Sequence, residues 1–302
     1  MSEHQWLRFK GKVIPLVLTL VVICLMIPIG IYKGRKMAEK HAWYYFSGPY
    51  LTAADAIDRG DTADLVRLVK GLDVDAPGRQ AMTLMWWAIL KEKFDAVTEL
   101  VKLGSNVEAQ DVQGLGYPLY IAFRQDDARL LRSMLDGGLP IDTQDVDKSS
   151  LLQQVLSAGD DPFNAVRLLV DRGIDVNHRD IIGDTATIKA VDVNRPDIAI
   201  YLLQHGASAD VQDVNGATLA YAVQVTIDSL QPNAPQPTIS NYTLDDKGEP
   251  VVSETNPAPQ GTTPGGKEKL REYEQLRQMM IERGVKFPPE TPAQVRAREG
   301  RK

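Results

Sequence analysis

The chain has a single cysteine in 302 residues, Cys24, and it lies inside an uninterrupted apolar run. A disulfide framework or a multi-cysteine zinc site within one chain is therefore excluded. No thiol nucleophile exists outside that run. Histidine is almost as scarce, with only His4, His41, His178 and His205. None of these pairs at metal-ligand spacing, and H-E-x-x-H is absent, so no metal centre is expected. There is no G-x-S-x-G and no convergent acid, base and nucleophile. Positive charge is not in excess: the formal net charge is -6, which removes the basic footprint of a nucleic-acid binder. Gly261 to Lys267 spells G-x-x-x-x-G-K, but Glu268 follows where a phosphate loop needs Ser or Thr, and the preceding stretch is proline-rich. These absences describe a non-enzymatic chain with no catalytic residue, cofactor, nucleic acid or small-molecule substrate.

What is present begins with Val13 to Ile31, nineteen residues without a charge, thirteen of them Leu, Ile or Val. At about 1.5 Å rise per residue such a run nearly matches the roughly 30 Å hydrocarbon core of a bilayer. It exceeds a usual signal-peptide core, and Tyr32-Lys33-Gly34-Arg35-Lys36 offers no small-x-small cleavage site. The run predicts a single transmembrane helix over 13–32, between an N-terminal tail (1–12) and a juxtamembrane linker (33–48). Arg8, Lys10 and Lys12 precede it; Lys33, Arg35, Lys36 and Lys40 follow, so the charge bias is nearly balanced. A short tail with three cations is hard to translocate, which favours the N-terminus inside and the large domain outside the cytosol. In a bacterium that means the inner membrane with the domain on the periplasmic side. Trp43, Tyr44, Tyr45 and Phe46 come soon after. Two roles are open for them: aromatics at the headgroup level, or a cover for the end of the first repeat.

The middle of the chain repeats itself. Segments starting at Thr83, Tyr117, Ser150, Thr185 and Thr218 align with spacings of 34, 33, 35 and 33 residues. Two other markers keep the same beat: Gly104, Gly138, Gly173 and Gly206, and the opening aspartates Asp111, Asp145, Asp180 and Asp213. Within a unit, Leu119, Ala122 and Phe123 stand at i, i+3, i+4, and Leu130, Leu131, Met134 and Leu135 mark a second helix. A glycine after that helix takes the left-handed conformation cheaply. One helix pair cannot bury its own apolar stripe, so neighbours must stack.

Tyr117-Pro118-Leu119, Gly173-Ile174-Asp175-Val176-Asn177 and Leu202-Leu203-Gln204-His205-Gly206-Ala207 resemble the ankyrin repeat, whose signature is T-P-L-H-x-A followed by G-A-D-V-N. The resemblance covers residues 49–230 and returns near 270–287. It implies an all-α ankyrin-repeat solenoid of about six helix pairs with β-hairpin-like loops, behind the transmembrane helix. The signature histidine is replaced by Trp86, Tyr120, Gln153, Ile188 and Tyr221, so its hydrogen-bonding role must be lost or altered.

The last unit is divided. Its first helix starts at Thr218, yet residues 231–266 hold seven prolines and four glycines, a composition that predicts a disordered insertion. Helical periodicity resumes at Lys267, with Leu276, Met280, Ile281 and then Gly284 in the second-helix slot. Residues 267–287 are thus read as the second helix of a split last repeat, with a separate capping helix as the alternative. The polar, basic tail 288–302 is expected to be flexible.

The ankyrin resemblance implies a protein partner held by the concave first-helix face and the loop tips. Carried over by position, this selects Trp87, Leu90 and Lys91; Ile121, Arg124 and Gln125; and Lys189, Asp192 and Val193. At the tips it selects Val112, Gln113, Asp147, Lys148, Ile181 and Ile182. Large apolar groups on a solvent face suggest contact sites, and Trp and Arg often carry about 2 kcal/mol or more at interfaces. For Trp87 the competing role, packing between repeats, stays open. The expected activity is partner binding at a membrane. A narrower alternative is an immunity or accessory protein that neutralises a secreted bacterial toxin.

Overall fold

The computed structural model describes residues 40–109, 116–159, 161–231, 239–244, 250–255 and 263–301, the two segments 239–244 and 250–255 at the level of backbone alone. The predicted transmembrane helix lies outside the described residues. No helix among those described is long and apolar enough to cross a membrane.

Helices follow one another in pairs. After a short α1 (Ala42–Tyr45) come α2 (Gly48–Arg59) with α3 (Thr62–Leu68), α4 (Leu84–Leu90) with α5 (Phe94–Lys102), and α6 (Pro118–Phe123) with α7 (Arg129–Asp136). Next are α8 (Leu151–Ala158) with α9 (Phe163–Asp171), α10 (Ala186–Asp192) with α11 (Pro196–Gln204), and α12 (Leu219–Leu230) with α13 (Pro264–Glu282). A last helix, α14, spans Pro292–Arg298.

The repeated Thr or Ser is the reason each first helix starts where it does. The side chains of Thr83, Ser150, Thr185 and Thr218 accept from the backbone N–H three residues on, capping α4, α8, α10 and α12. At the other end of each unit, Gly104, Gly138, Gly173 and Gly206 sit at φ of 90°, 106°, 81° and 95°, where any other residue would be strained. The opening aspartates tie the loops. Oδ1 of Asp145 accepts from the N–H groups of Asp147 and Ser149, that of Asp180 from Ile182 and Asp184, and that of Asp213 from Asn215 and Ala217.

The described residues form two compact units. The first holds residues 40–118 and 136–138, the second 119–135 and 139–301. In the first, α2 packs on α3 and α4, and α5 on α3 and α4. Its core includes Ala53, Leu65, Leu84, Val97 and Leu100, all fully buried. In the second, α10 packs on α8, α11 and α12, around Leu130, Leu131, Leu152, Val166, Leu169, Leu202 and Leu203. Consecutive loops of this unit are joined by backbone bonds, Ile181 N–H to Asp147 O at 2.9 Å and Val214 N–H to Ile182 O at 2.8 Å. The altered signature histidine is replaced in kind at one point. Gln153 completes a capping box with Ser150 and also donates through Nε2 to Asp184 O of the next unit, at 2.9 Å.

Two expectations need correction at the C-terminal end. Within the proline-rich segment expected to be disordered, Ile239–Leu244 pairs antiparallel with Pro250–Thr255, Ile239 opposite Thr255. Proline is confined there to the first position of the second strand, where its missing N–H costs the ladder least. The tail expected to be flexible carries α14. Thr291 and Gln294 form a capping box, and Val295 is fully buried against Gly216. Arg296 and Arg301 donate to Asn215 O (2.6 Å) and Val214 O (2.5 Å), and Gln212 Nε2 donates to Glu299 (2.9 Å). Helix α13 packs against α12 and α11. Tyr273, Leu276 and Met280 are its fully buried residues, whereas Ile281 points out at 43% exposure.

Candidate partner-binding surface

The loop tips of the second unit present a regular apolar row. In each of three consecutive loops the residue after the opening aspartate is β-branched: Val146 after Asp145, Ile181 after Asp180, Val214 after Asp213. These side chains are 95%, 59% and 51% exposed, and Ile182 adds another at 45%. The aspartate spends its carboxylate on the loop backbone, which fixes the turn and leaves the next side chain pointing outward. The loop-to-loop bonds at 147–181 and 182–214 hold these tips side by side. Asp147 and Lys148 are exposed beside them; the carbonyl of Lys148 accepts from His178 Nε2 at 2.7 Å.

Below the tips lies a group of acidic residues. Asp184 among them is buried, only 7% exposed. Burial, then the nearby carboxylates of Asp180, Asp192 and Asp213, push its pKa up to about 6, against the pull of Lys189. Asp192 is raised as well, chiefly by desolvation, with Lys189 opposing and Asp213 adding to the shift. The apolar tips thus stand over a group of carboxylates with one lysine among them.

The sequence-selected residues divide accordingly. Ile181, Ile182, Asp147 and Lys148 share this tip surface, and Asp192 and Val193 lie exposed at the end of α10, with Lys189 half-buried. Arg124 is exposed with its guanidinium 5.8 Å from the Tyr120 ring centroid, while Ile121 and Gln125 are half-buried. Leu90 is 50% exposed. Val112 and Gln113 lie outside the described residues.

Trp87 is corrected. It is 1% exposed, its indole N–H donates to Asp58 Oδ1 at 3.0 Å, and its ring meets Tyr45 and Phe46 at centroid distances of 5.7 and 6.1 Å. Lys91 lies over the same ring at 4.4 Å and donates to Lys40 O. The aromatic segment 43–46 therefore folds back on α4 and covers the face that Trp87 would otherwise show to a partner. Val146 and Val214 were not selected from the sequence, although the β-branched residue after each marker aspartate was a readable signal.

Residues 119–213 match the family model for ankyrin repeats, in three copies. Three curated proteins are similar over part of their length. "Ankyrin repeat domain-containing protein SAT10" of Stachybotrys chartarum is 30% identical over 47% of this chain and 7% of its own. "Protein PhlB" of Serratia liquefaciens is 30% identical over 48% of this chain and 63% of its own. "Putative ankyrin repeat protein YahD" of Escherichia coli is 29% identical over 56% of this chain and 85% of its own. The match thus spans less than two thirds of the first two relatives.

Proposed function

Because this chain carries ankyrin repeats, we propose that it is a non-enzymatic protein-binding module held at a membrane by the apolar run Val13 to Ile31. The partner docks on the loop tips of the second unit and the adjoining exposed ends of its first helices. One observation carries this reading: Val146, Ile181 and Val214 occupy the same loop position in successive units and are all exposed. A β-branched residue at 95% exposure contributes nothing to the core, and a row of them is an apolar patch of the kind that partners cover. The carboxylates beneath favour a partner whose apolar contact is rimmed by Lys or Arg, since complementary charge steers encounter and register.

The second helix α13 completes the last helix pair after an inserted hairpin, so we read the last repeat as interrupted rather than as followed by an unrelated helix. The tether reading rests on the length of the uncharged run, and the short cationic tail favours the repeats outside the cytosol.

Photo-crosslinking from the tips tests the docking surface. A benzophenone side chain placed at Val146 or Ile181 of the full chain is expected to trap one discrete partner in cells. The same group at Ile281, exposed on α13, is expected to trap none. Equal trapping from all three positions would remove the assignment. Fusions of alkaline phosphatase and of a fluorescent protein after Leu230 report the side of the membrane, with phosphatase activity expected.

A further inference from the structure

We propose that the first unit carries a phospholipid headgroup site, a cavity between the aromatic segment 43–46 and the loop 76–79, which takes a headgroup phosphate of the bilayer at which the chain is held. The proposal rests on the tether reading and adds a lipid contact by the folded domain itself.

The cavity has a volume of about 470 Å³ and is lined by Trp43, Tyr44, Phe46, Tyr50, Pro77 and Arg79 among others. Its two walls are fixed to each other. Gly78 lies so close to the aromatic segment that a Cβ there would meet Tyr45 O at 2.5 Å. Gln80 Nε2 donates to the Tyr44 hydroxyl at 3.2 Å, and Tyr45 and Phe46 are buried against Trp87. The parts left outward are of two kinds. Trp43 is 60% exposed, whereas Tyr45, Phe46 and Trp87 beside it are buried and Tyr44 and Tyr50 half-buried. Arg79 is exposed with its guanidinium 4.4 Å from the Tyr44 ring centroid, and no carboxylate among the described residues pairs with it.

The backbone that follows the arginine is strained. Gln80 and Ala81, the two residues after it, are both at φ 59°, a left-handed conformation that non-glycine residues adopt at a cost and that gathers at functional sites. A guanidinium stacked on a tyrosine face keeps its N–H edge free, and that edge matches phosphate oxygens two at a time. A tryptophan with one wet and one apolar side favours the headgroup level.

Position supplies the occupant. Only residues 32–39 separate the apolar run from Lys40. At about 3.3–3.6 Å per residue even a fully extended chain places Trp43, the first residue of the cavity wall, within roughly 40 Å of the point where the run leaves the hydrocarbon. A phosphate-bearing surface is therefore within reach for as long as the chain is inserted.

The test uses the full chain with Trp6→Phe, inserted in phosphatidylcholine nanodiscs, with and without phosphatidylcholine brominated high on its acyl chains. Trp86 and Trp87 are buried and serve as the unquenched reference. Bromolipid is expected to quench one component of the emission. That component should be lost in Trp43→Phe and much reduced in Arg79→Gln, with near-ultraviolet circular dichroism unchanged in both. Emission identical in brominated and plain discs overturns the lipid contact, as does quenching that Arg79→Gln leaves intact. Release of the chain from cell membranes by alkaline carbonate instead sinks the tether reading, and this inference with it. Retention without quenching sinks this inference alone.

Discussion

The indole N–H of Trp87 donates to the carboxylate of Asp58 at 3.0 Å, linking the first helix of one repeat to the first helix of the repeat before it. The bond explains why a tryptophan is buried at a position that other units leave half-buried. Its ring is sandwiched by Tyr45, Phe46 and the Lys91 ammonium, and its only polar atom is satisfied.

Trp87→Ala is therefore expected to damage stability rather than a contact surface. Removing a buried aromatic from a packed site costs about 3–5 kcal/mol. Asp58→Ala removes one hydrogen bond and leaves a buried N–H unpaired, at about 1–3 kcal/mol. The double variant should cost less than the sum, because the pair acts together. Denaturant unfolding of the four proteins measures this. Trp87→Ala with wild-type stability would return the residue to the surface.

Asp184 gives the protein a pH dependence of known sign. Its carboxyl is raised by burial and by neighbouring carboxylates to about 6 in the folded state, against about 3.9 in an unfolded chain. Between those values the native state binds the proton more tightly, so stability falls as pH rises through the window. Above about pH 6 the full penalty applies, on the order of 2–3 kcal/mol from a shift of about two pH units. Asp184→Asn keeps the backbone bonds to Asp180 and Gln153 and removes the charge. It is expected to raise the Tm at pH 7.5 and to make little difference at pH 4. A variant no more stable than wild type at pH 7.5 would refute this.

Much of this was readable in the sequence because each marker has a single physical job. The Thr/Ser slot caps a helix, the glycine ends one, and the aspartate ties a loop, so three markers in step located the helix pairs between Thr83 and Gly206. Contacts between segments distant in sequence were not readable in the same way. Nothing local to Trp87 shows that residues 42–46 fold over it. The tail was misjudged from its polar and basic composition, although Thr291-Pro292-Ala293-Gln294 spells a capping box and Val295 supplies one apolar anchor. In the segment 231–266 the prolines dominate the composition, and Ile239 to Leu244 shows no strict apolar alternation that would mark a strand. Yet Pro250 stands at a strand start, where it does not oppose pairing.

The interrupted last repeat predicts that covalent continuity between α12 and α13 is dispensable once folded. Tyr273 is fully buried and its hydroxyl donates to Val191 O at 3.2 Å. Lys269 Nζ donates to Asn194 O at 3.0 Å, and Arg283 donates to Leu203 O at 2.6 Å. These anchors lie on α10, on α11 and at the turn after α10, outside the insertion. A protease site engineered after Thr255 and then cut should leave residues 256–302 bound through size-exclusion chromatography. Tyr273→Ala, which empties an aromatic site worth about 3–5 kcal/mol, should let the cut fragment leave. Dissociation of the cut wild-type fragment would identify α13 as a helix held by its linker alone.

The tip row makes the sharpest separation between binding and folding. Val146, Ile181 and Val214 are more than half exposed, so their replacement lies outside every mechanism that destabilises a fold strongly. Such surface changes are usually worth within about 0.5 kcal/mol. Val146→Asp with Ile181→Asp should accordingly leave the Tm unchanged. Against a partner, the same pair adds two charges to a surface that already holds Asp147 and Asp180. Each then needs desolvation at the interface without a counter-charge, and truncation of interface anchors alone costs about 2 kcal/mol or more each. Affinity for the crosslinked partner should fall by at least about a hundredfold, a factor of ten per 1.4 kcal/mol. Val225→Asp, on an exposed position of α12 away from the tips, should change neither quantity. Calorimetry with the three proteins separates the cases: a double variant that binds as wild type does would place the partner elsewhere on the repeats.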